Sequence, residues 1–314
     1  MKTLGVFFWN EQNWHKRKLT KKIKIAKDSY ALFSRIGKSK GFRVIISSRK
    51  YYGNGKFKKA YEYSHGKFNV VRDQKVDIIF DRSWESEKRN KNKKKFMKKI
   101  SMFNNPELNR ICWDKYLCSK IFNKFMDKNF LVHNKSELRR VVKKLDSEKI
   151  VLKPRFGVMG LEVKIVKRNK LPEVRKNTIV QKFIDSSNGI KTLGIKGVHD
   201  LRIVTLSNKI DHAYVRRPRK GLIANIAQGG YVTHINKKKL PKEVLNIVKN
   251  IDKRMKRYGP RLYTVDMIFD EKNKPIVTEL ESNPVIDSAY KSSKSKKTQR
   301  EFMKHIFDSI SKLS

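Results

Sequence analysis

The chain has 314 residues, 38% of them hydrophobic and 33% charged, which is long enough for two or three packed units with a large core. Its 76 Lys and Arg residues against 29 Asp and Glu residues give a formal net charge of +47, a field that attracts polyanions. No apolar run approaches the ~20 residues of a membrane-spanning helix, and two cysteines make no disulfide framework. These features exclude disordered, membrane-spanning and disulfide-rich proteins, and they favour a cytoplasmic location.

The first hundred residues predict an α/β unit. Residues 4–9 and 44–47 are apolar runs typical of buried strands, and residues 26–39 between them predict a helix. A third apolar run, at residues 76–80, is followed by Asp81-Arg82-Ser83. Strand, helix and strand at this spacing predict a parallel sheet within residues 1–104. The lysine-rich residues 87–100 predict a solvated helix or linker more strongly than a nucleic-acid patch.

Residues 105–184 predict a second unit that begins with helices. One helix begins at Asn105-Pro106 and continues through Asp114-Lys115 to residue 122. Another begins at Ser136, whose hydroxyl is a suitable N-cap.

Two strands joined by a glycine turn follow these helices. Lys153 lies inside the first strand, and Gly157 and Gly160 lie in the turn. Glycines let backbone N–H groups approach phosphate oxygens, and a lysine in a buried strand needs an anionic partner because burial of an unpaired ammonium is costly. The pattern therefore favours a phosphate site, although a lysine that reaches solvent from the strand end fits it too. Residues 178–185 predict one more strand.

Residues 185–314 predict a third unit that is rich in arginine. A strand at residues 199–206 contains Asp200 and Arg202, and a strand at residues 210–215 leads into Arg216 and Arg217. Asn225, a glycine pair, a helix at residues 241–258 and a terminal helix at residues 299–312 complete the predicted elements outside the hairpin.

A β-hairpin is predicted at residues 261–284, where two apolar runs flank a polar turn. If Asp270 pairs with Pro275, the register sets Asp266 opposite Glu279, and Glu281 shares that face. Three carboxylates on one face repel one another unless a cation lies between them, and Mg²⁺ prefers such oxygen ligands. The hairpin alone predicts either a magnesium site or a solvent-exposed acidic face.

Seven short motifs follow one another in an order that resembles the ATP-grasp superfamily, and within it the RimK-type and glutathione synthetase-like carboxylate–amine ligases. The resemblance covers about residues 105–290 and implies an α/β (α+β ATP-grasp) fold. In this fold the N-terminal parallel-sheet unit, residues 1–104, precedes two lobes, residues 105–184 and 185–314, that enclose the nucleotide. The motifs are Asp114-Lys115; Lys153-Pro154 with Gly157 and Gly160; Gln181-Lys182-Phe183-Ile184; Asp200 and Arg202; Asn225 with Gly229-Gly230; Val265-Asp266; and Glu279-Leu280-Glu281-Ser282-Asn283-Pro284.

The resemblance implies a set of residues that bind ATP. Lys115 and Lys153 would contact its α- and β-phosphates, and the turn of Gly157 and Gly160 would close over the triphosphate. The hinge would read the adenine edge through the carbonyl of its second residue and the amide of its fourth. These hinge residues are Gln181, Lys182, Phe183 and Ile184.

The implied reaction centre contains arginines and metal ligands. Arg202 and one of Arg216 or Arg217 would hold the γ-phosphate and the acyl-phosphate, with Asn225 nearby. Asp266 and Glu279 would bind Mg²⁺, or Mn²⁺ in its place, as two ions. Family members usually have an asparagine two residues after the glutamate, where this chain has Glu281, and Asn283 follows two residues later. The third ligand would therefore be Glu281 or Asn283, or else the site is weakened.

The implied activity is ATP- and Mg²⁺-dependent formation of an amide-type bond through an acyl-phosphate, between small-molecule or peptide carboxylates and amines. A highly basic nucleic-acid-binding protein and a non-catalytic ATP-binding scaffold are the alternatives. The sequence has no zinc finger, helix-turn-helix or basic–aromatic motif, which argues against dedicated nucleic-acid binding. The charge predicts a polyanionic partner, with an acidic peptide as the first choice and RNA as the second.

Overall fold

The structure, a computed structural model, describes residues 1–8, 21–83, 93, 95, 97–157, 162–224, 229–286 and 293–313, which form three β-sheets with helices packed against them. The strands are β1 (Lys2–Phe8), β2 (Phe42–Ser48), β3 (Tyr52–Gly53), β4 (Lys56–Ser64), β5 (Lys67–Lys75), β6 (Ile78–Arg82), β7 (Ser101–Phe103), β8 (Phe130–Val132), β9 (Lys149–Pro154), β10 (Lys164–Lys167), β11 (Thr178–Lys182), β12 (Asp200–Leu206), β13 (Lys209–Arg217), β14 (Tyr231–Ile235), β15 (Leu262–Phe269) and β16 (Pro275–Glu281). The helices are α1 (Lys21–Ser39), α2 (Pro106–Trp113), α3 (Lys115–Ile121), α4 (Lys135–Lys143), α5 (Lys242–Met255) and α6 (Ser293–Ile310). None of these helices is long and apolar enough to cross a membrane.

The first sheet confirms the predicted parallel core and adds strands that the sequence did not predict. Strands β2, β1, β6 and β7 run parallel in that order. Strands β3, β4 and β5 extend this parallel core as antiparallel strands. Only part of β4 and of β5 is covered by other elements, so apolar and polar residues do not alternate regularly along them. For this reason the sequence did not predict these two strands.

The second sheet is antiparallel and small. Its strand order is β10-β9-β11-β8, and it places Lys153 of β9 directly opposite Ile179 of β11. Helix α4 covers it through an apolar cluster that includes Leu138, Ile150 and Val180. Asn134, and not Ser136, caps this helix, because the Asn134 side chain accepts the Glu137 N–H at 2.9 Å.

The third sheet is also antiparallel, with the order β14-β13-β12-β15-β16. One face carries an apolar layer that includes Ile203 and Val265, which packs against α5 and also against α2 and α3. The opposite face carries most of the charged residues considered below. Helices that precede the second sheet in sequence thus share their core with the third.

The predicted single helix at residues 105–122 is two helices that break at Asp114. Asp114 is extended (φ −90°, ψ 92°), and its carboxylate accepts the Leu117 N–H at 3.1 Å as the N-cap of α3. Arg155 also binds this carboxylate with two hydrogen bonds, at 2.9 and 2.7 Å. The break was missed because no glycine or proline marks it, and it places Lys115 at the first position of α3.

The C-terminal helix packs on the first sheet. It begins six residues before the predicted residue 299 and contributes Phe302, Ile306 and Phe307 to the core that covers β1 and β2. The rings of Phe33 in α1 and Phe307 lie 4.5 Å apart. The C-terminal helix therefore packs on the unit formed by the first residues of the chain.

We expect Asn104 to be a major contributor to stability, because it joins the first and third sheets. Its buried side chain donates to the carbonyls of Leu262 at 2.6 Å and Ser282 at 3.0 Å, and accepts the Leu262 N–H at 2.7 Å. Asn104→Ala should lower the free energy of unfolding by about 3 kcal/mol, measured by chemical denaturation.

The neighbouring Asn105→Ala is the matched control. Asn105 caps α2, so its loss should cost about 1 kcal/mol. An equal cost for the two variants would show that the Asn104 bonds do not join the sheets energetically.

Candidate active site

A charged face is built by cross-strand pairing in the third sheet. Arg202 of β12 lies directly opposite Asp266 of β15, which lies opposite Glu279 of β16. Asp200, two residues before Arg202, lies opposite Arg216 of β13. Because side chains alternate with period 2 and paired residues share a face, all five side chains lie on the same side of the sheet.

The predicted pairing of Asp266 with Glu279 is confirmed, but its register arises differently. Phe269, and not Asp270, pairs with Pro275, and a β-bulge at Thr278 then shifts the register by one residue. The Thr278 hydroxyl donates to the Asp266 carbonyl at 3.2 Å. Without the bulge, the strand would present Thr278 instead of Glu279 to Asp266.

Both oxygens of Asp266 accept hydrogen bonds from arginines. Arg202 binds it through Nε at 2.7 Å and Nη2 at 2.5 Å, and Arg216 Nη2 lies 2.7 Å from Oδ2. Burial alone would raise the pKa of Asp266, but the two guanidinium groups hold it below its ordinary value. Arg216 Nη2 also lies 2.5 Å from Asp200 Oδ2, and burial next to Asp266 raises the pKa of Asp200 to about 7.

Arg217 does not join this group. It follows Arg216 on β13, so its side chain projects from the opposite face. Its Nη2 donates to Thr233 Oγ1 at 3.3 Å, and its guanidinium lies 4.6 Å from the centroid of the Tyr231 ring. Of the two predicted arginines, the geometry brings only Arg216 to Asp266.

Two lysines contact β16 near its end: Lys115, at the helix break, and Lys153, in the second sheet. Lys115 Nζ lies 3.1 Å from Glu279 Oε1 and 2.5 Å from the Gly157 carbonyl oxygen. Lys153 Nζ lies 3.4 Å from the Thr278 carbonyl oxygen. Burial lowers the pKa of Lys153 to about 8, and the charge of Glu279 opposes that shift. The predicted phosphate lysines therefore meet at the predicted metal-binding strand.

The end of β16 supplies oxygen atoms that fit a hard cation. Burial and the neighbouring charge of Glu279 raise the pKa of Glu281. Asn283 donates its Nδ2 to the Arg82 carbonyl at 3.1 Å, which leaves its buried Oδ1 without a hydrogen-bond partner among the described residues. Over those same residues no group of three or more Asp, Glu, His or Cys side chains could hold a metal by itself. Two carboxylates and an amide oxygen suit Mg²⁺, which takes its other ligands from phosphate and water.

The predicted hinge lies at an open edge of the second sheet. The Phe183 N–H donates to the Lys149 carbonyl at 3.1 Å, so the backbone N–H and C=O groups of Phe183 point towards β9. The backbone groups of Lys182 and Ile184 therefore point away from β9, towards the side of β11 on which β8 lies. The pairing of β8 with β11 ends at Phe130, opposite Val180, so β8 does not reach Lys182 or Ile184. The side chain of Gln181, the first hinge residue, is buried.

Two predicted site residues, Gly160 and Asn225, lie outside the described residues, as do most of the lysine-rich residues 87–100. Sequence reasoning gave Arg82 no role, although the structure places it beside Asn283. It also missed Arg155, whose contact with Asp114 orients Lys115. The charged triplet Asp81-Arg82-Ser83 after a buried strand was the available signal for Arg82.

Comparisons with known proteins show the family of the chain. The family model for the RimK-like ATP-grasp domain matches residues 112–306, more than half of the chain. No curated protein sequence matches the chain significantly.

Several solved structures share the fold at low sequence identity. A Chryseobacterium gregarium RiPP-associated ATP-grasp ligase, solved with ADP and a leader and core peptide, is 13% identical (TM-score 0.63, covering 100% of this chain and 98% of that chain). A Sphaerobacter thermophilus RimK domain protein is 11% identical (TM-score 0.62, 98% and 98%). The Bacillus anthracis D-alanine–D-alanine ligase, solved with ATP, is 14% identical (TM-score 0.60, 99% and 97%). The chain belongs to the RimK-like ATP-grasp family and is an ATP-dependent, ADP-forming carboxylate–amine ligase.

Proposed function

We propose that the enzyme first transfers the γ-phosphoryl group of ATP to a substrate carboxylate and then joins the resulting acyl-phosphate to an amine, with release of phosphate. The observation that carries this proposal is the approach of Lys115 and Lys153 to the β16 strand that bears Glu279. Phosphoryl transfer is mainly a matter of positioning and charge neutralisation. Cations and carboxylates that converge from different sheets can do both.

In this proposal the second sheet binds the nucleotide. Lys115 and Lys153 hold the α- and β-phosphates, and the Lys182 carbonyl and Ile184 amide bind the adenine edge. The open backbone edge beyond Phe130 supports the adenine assignment, because these groups are not taken up by β8. The turn that begins at Gly157 covers the triphosphate and limits access of water to the acyl-phosphate.

The third sheet holds the reacting groups. Arg202 and Arg216 neutralise the γ-phosphate and the acyl-phosphate, and Asp200 orients Arg216. Glu279 and Glu281 hold Mg²⁺ as two ions, with Asn283 as a further oxygen ligand. Asp266 stays a proposed ligand, but an ion there would have to displace one of its present donors, because Oδ2 accepts from Arg202 and Arg216 and Oδ1 accepts from Arg202 and from the Thr264 hydroxyl. When bound, Mg²⁺ supplies charge neutralisation along the triphosphate.

We propose an acidic peptide as the polyanionic substrate of this cytoplasmic enzyme. The formal net charge of +47 supports a polyanion, and the similar Chryseobacterium gregarium ligase was solved with a leader and core peptide. Attraction between exposed charges acts over roughly 8–10 Å at physiological ionic strength, so it favours long charged segments over small neutral amines.

The reaction class is tested by product analysis. With ATP, Mg²⁺ and a panel of amino acids and acidic peptides, the wild-type enzyme should form ADP and phosphate. Glu279→Gln should lower kcat on the order of 100-fold, because it removes a ligand of the metal that stabilises the transferring group. Glu271→Gln, in the exposed turn of the same hairpin, is the matched control and should leave kcat unchanged. AMP and pyrophosphate as products, or full activity of Glu279→Gln, would contradict the proposal.

The lowered pKa of Lys153 predicts a pH dependence of nucleotide binding. Bound phosphate favours the protonated lysine, whereas the free site loses its proton near pH 8. The Kd for ADP should therefore rise about tenfold for each pH unit above 8, measured with a fluorescent ADP analogue. Lys153→Arg stays charged over this range and should give a flat profile. The same slope in both proteins would show that Lys153 does not contact the phosphates.

A further inference from the structure

Arg82 lies at the point of the first sheet where ligands bind in open α/β folds. It is the last residue of β6 and pairs with Phe8, the last residue of the parallel strand β1. The chain leaves β1 towards β2 on one side, and it leaves β6 towards β7 on the other. Ligand sites in such sheets occur outside the carboxyl ends of strands at this change of direction.

The guanidinium of Arg82 is buried, and none of the acidic side chains that the structure describes pairs with it. Only 7% of the residue is exposed. Its Nε donates to the Tyr30 hydroxyl at 3.3 Å and its Nη2 to the Pro284 carbonyl at 2.8 Å, so both partners are neutral. Its buried Nη1 has no hydrogen-bond partner among the described residues. The adjacent Asp81 binds Lys93 and Ser83 instead.

Other buried arginines of the described chain are neutralised. Arg202 and Arg216 share Asp266, and Arg261 forms two hydrogen bonds to Asp252, at 2.9 and 2.5 Å. A buried cation without a counter-ion is costly, and the cost falls when an anion with suitable oxygens is added. A carboxylate meets both needs, because it carries the charge and accepts from adjacent N–H groups of one guanidinium.

Arg82 also adjoins the strand that bears the proposed metal ligands. Its carbonyl accepts from Asn283, and its guanidinium contacts the next residue, Pro284. An anion held by Arg82 would thus lie between the carboxyl edge of the first sheet and the end of β16.

We propose that Arg82 binds the carboxylate of the acyl donor and holds it at the edge of the first sheet that faces the end of β16. The identity of this anion as the acyl donor rests on the function proposed above. The existence of an anion site at Arg82 does not. The competing explanation is that Arg82 only fastens the segment around Asn283 and Pro284 to the first sheet.

Thermal stability separates the two explanations without a known substrate. The melting temperatures of wild type, Arg82→Met and Arg261→Met are compared in sodium chloride and in sodium acetate at equal ionic strength. Acetate, a minimal carboxylate, should raise the melting temperature of the wild type and of Arg261→Met, but not that of Arg82→Met. In chloride, Arg261→Met should melt lower than wild type because it leaves Asp252 unpaired, whereas Arg82→Met should melt at the same temperature or higher. A loss of stability in Arg82→Met as large as in Arg261→Met, or an acetate shift that persists in Arg82→Met, would overturn the proposal.

Kinetics test whether the anion is the acyl donor. For the carboxylate of the panel that supports ADP formation, Arg82→Met should raise the KM for that carboxylate by about tenfold or more and leave the KM for ATP unchanged. Arg82→Lys keeps the charge but not the paired N–H donors, so its KM for the carboxylate should lie between those of the wild type and Arg82→Met. An equal rise in both KM values would show that Arg82 acts by positioning the segment around Asn283 and Pro284. That result would overturn its role in binding the acyl donor. If no carboxylate supports ADP formation in the wild type, the proposed function fails, while the acetate experiment still decides whether Arg82 binds anions.

Discussion

The ion pair between Lys115 and Glu279 is the contact on which the proposed site depends. Lys115 is placed by the helix break at Asp114, which Arg155 holds with two hydrogen bonds. Glu279 is placed by the β-bulge at Thr278, which turns it towards Asp266. Each position results from a local irregularity, and the pair forms only because both irregularities are present. Lys115 also binds the Gly157 carbonyl, so the same ammonium connects the turn of the second sheet to β16.

Charge balance explains how so many ionisable groups share one face of a sheet. Arg202 and Arg216 neutralise Asp266 and Asp200 in a compact network, and burial, together with the charge of Asp266, raises the pKa of Asp200. Desolvated pairs of this kind stabilise little by themselves, but they fix side chains in one geometry. Such fixed groups suit phosphoryl transfer, because they need no rearrangement as charge develops. Arg82 differs from them because no acidic side chain in the described part of the chain pairs with it, and this difference supports its proposed role in binding a substrate carboxylate.

Patterns that repeat within one element could be predicted from the sequence, whereas single-residue irregularities could not. The apolar runs and the ordered motifs predicted the α/β class, the parallel strands and the Asp266–Glu279 pairing. The bulge at Thr278 left no mark in composition, and the assumed Asp270–Pro275 register reached the right pairing only because the bulge offsets an error of one residue. The break at Asp114 was missed because its determinant, Arg155, is distant in sequence. Side chains alternate between the two faces of β13, so Arg216 and Arg217 project from opposite faces. Which of the two arginines faces Asp266 could be predicted only once the pairing of β13 with β12 was known.

We propose that a substrate carboxylate takes the γ-phosphoryl group of ATP at this site. The most direct test of this proposal uses a carboxylate labelled with oxygen-18 in both oxygens, with ATP, Mg²⁺ and the amine, and analysis of the released phosphate by mass spectrometry. Each released phosphate should carry a single labelled oxygen, because the amine attacks the carbonyl carbon and the bridging oxygen leaves with phosphorus. Unlabelled phosphate, or label found in AMP, would contradict it.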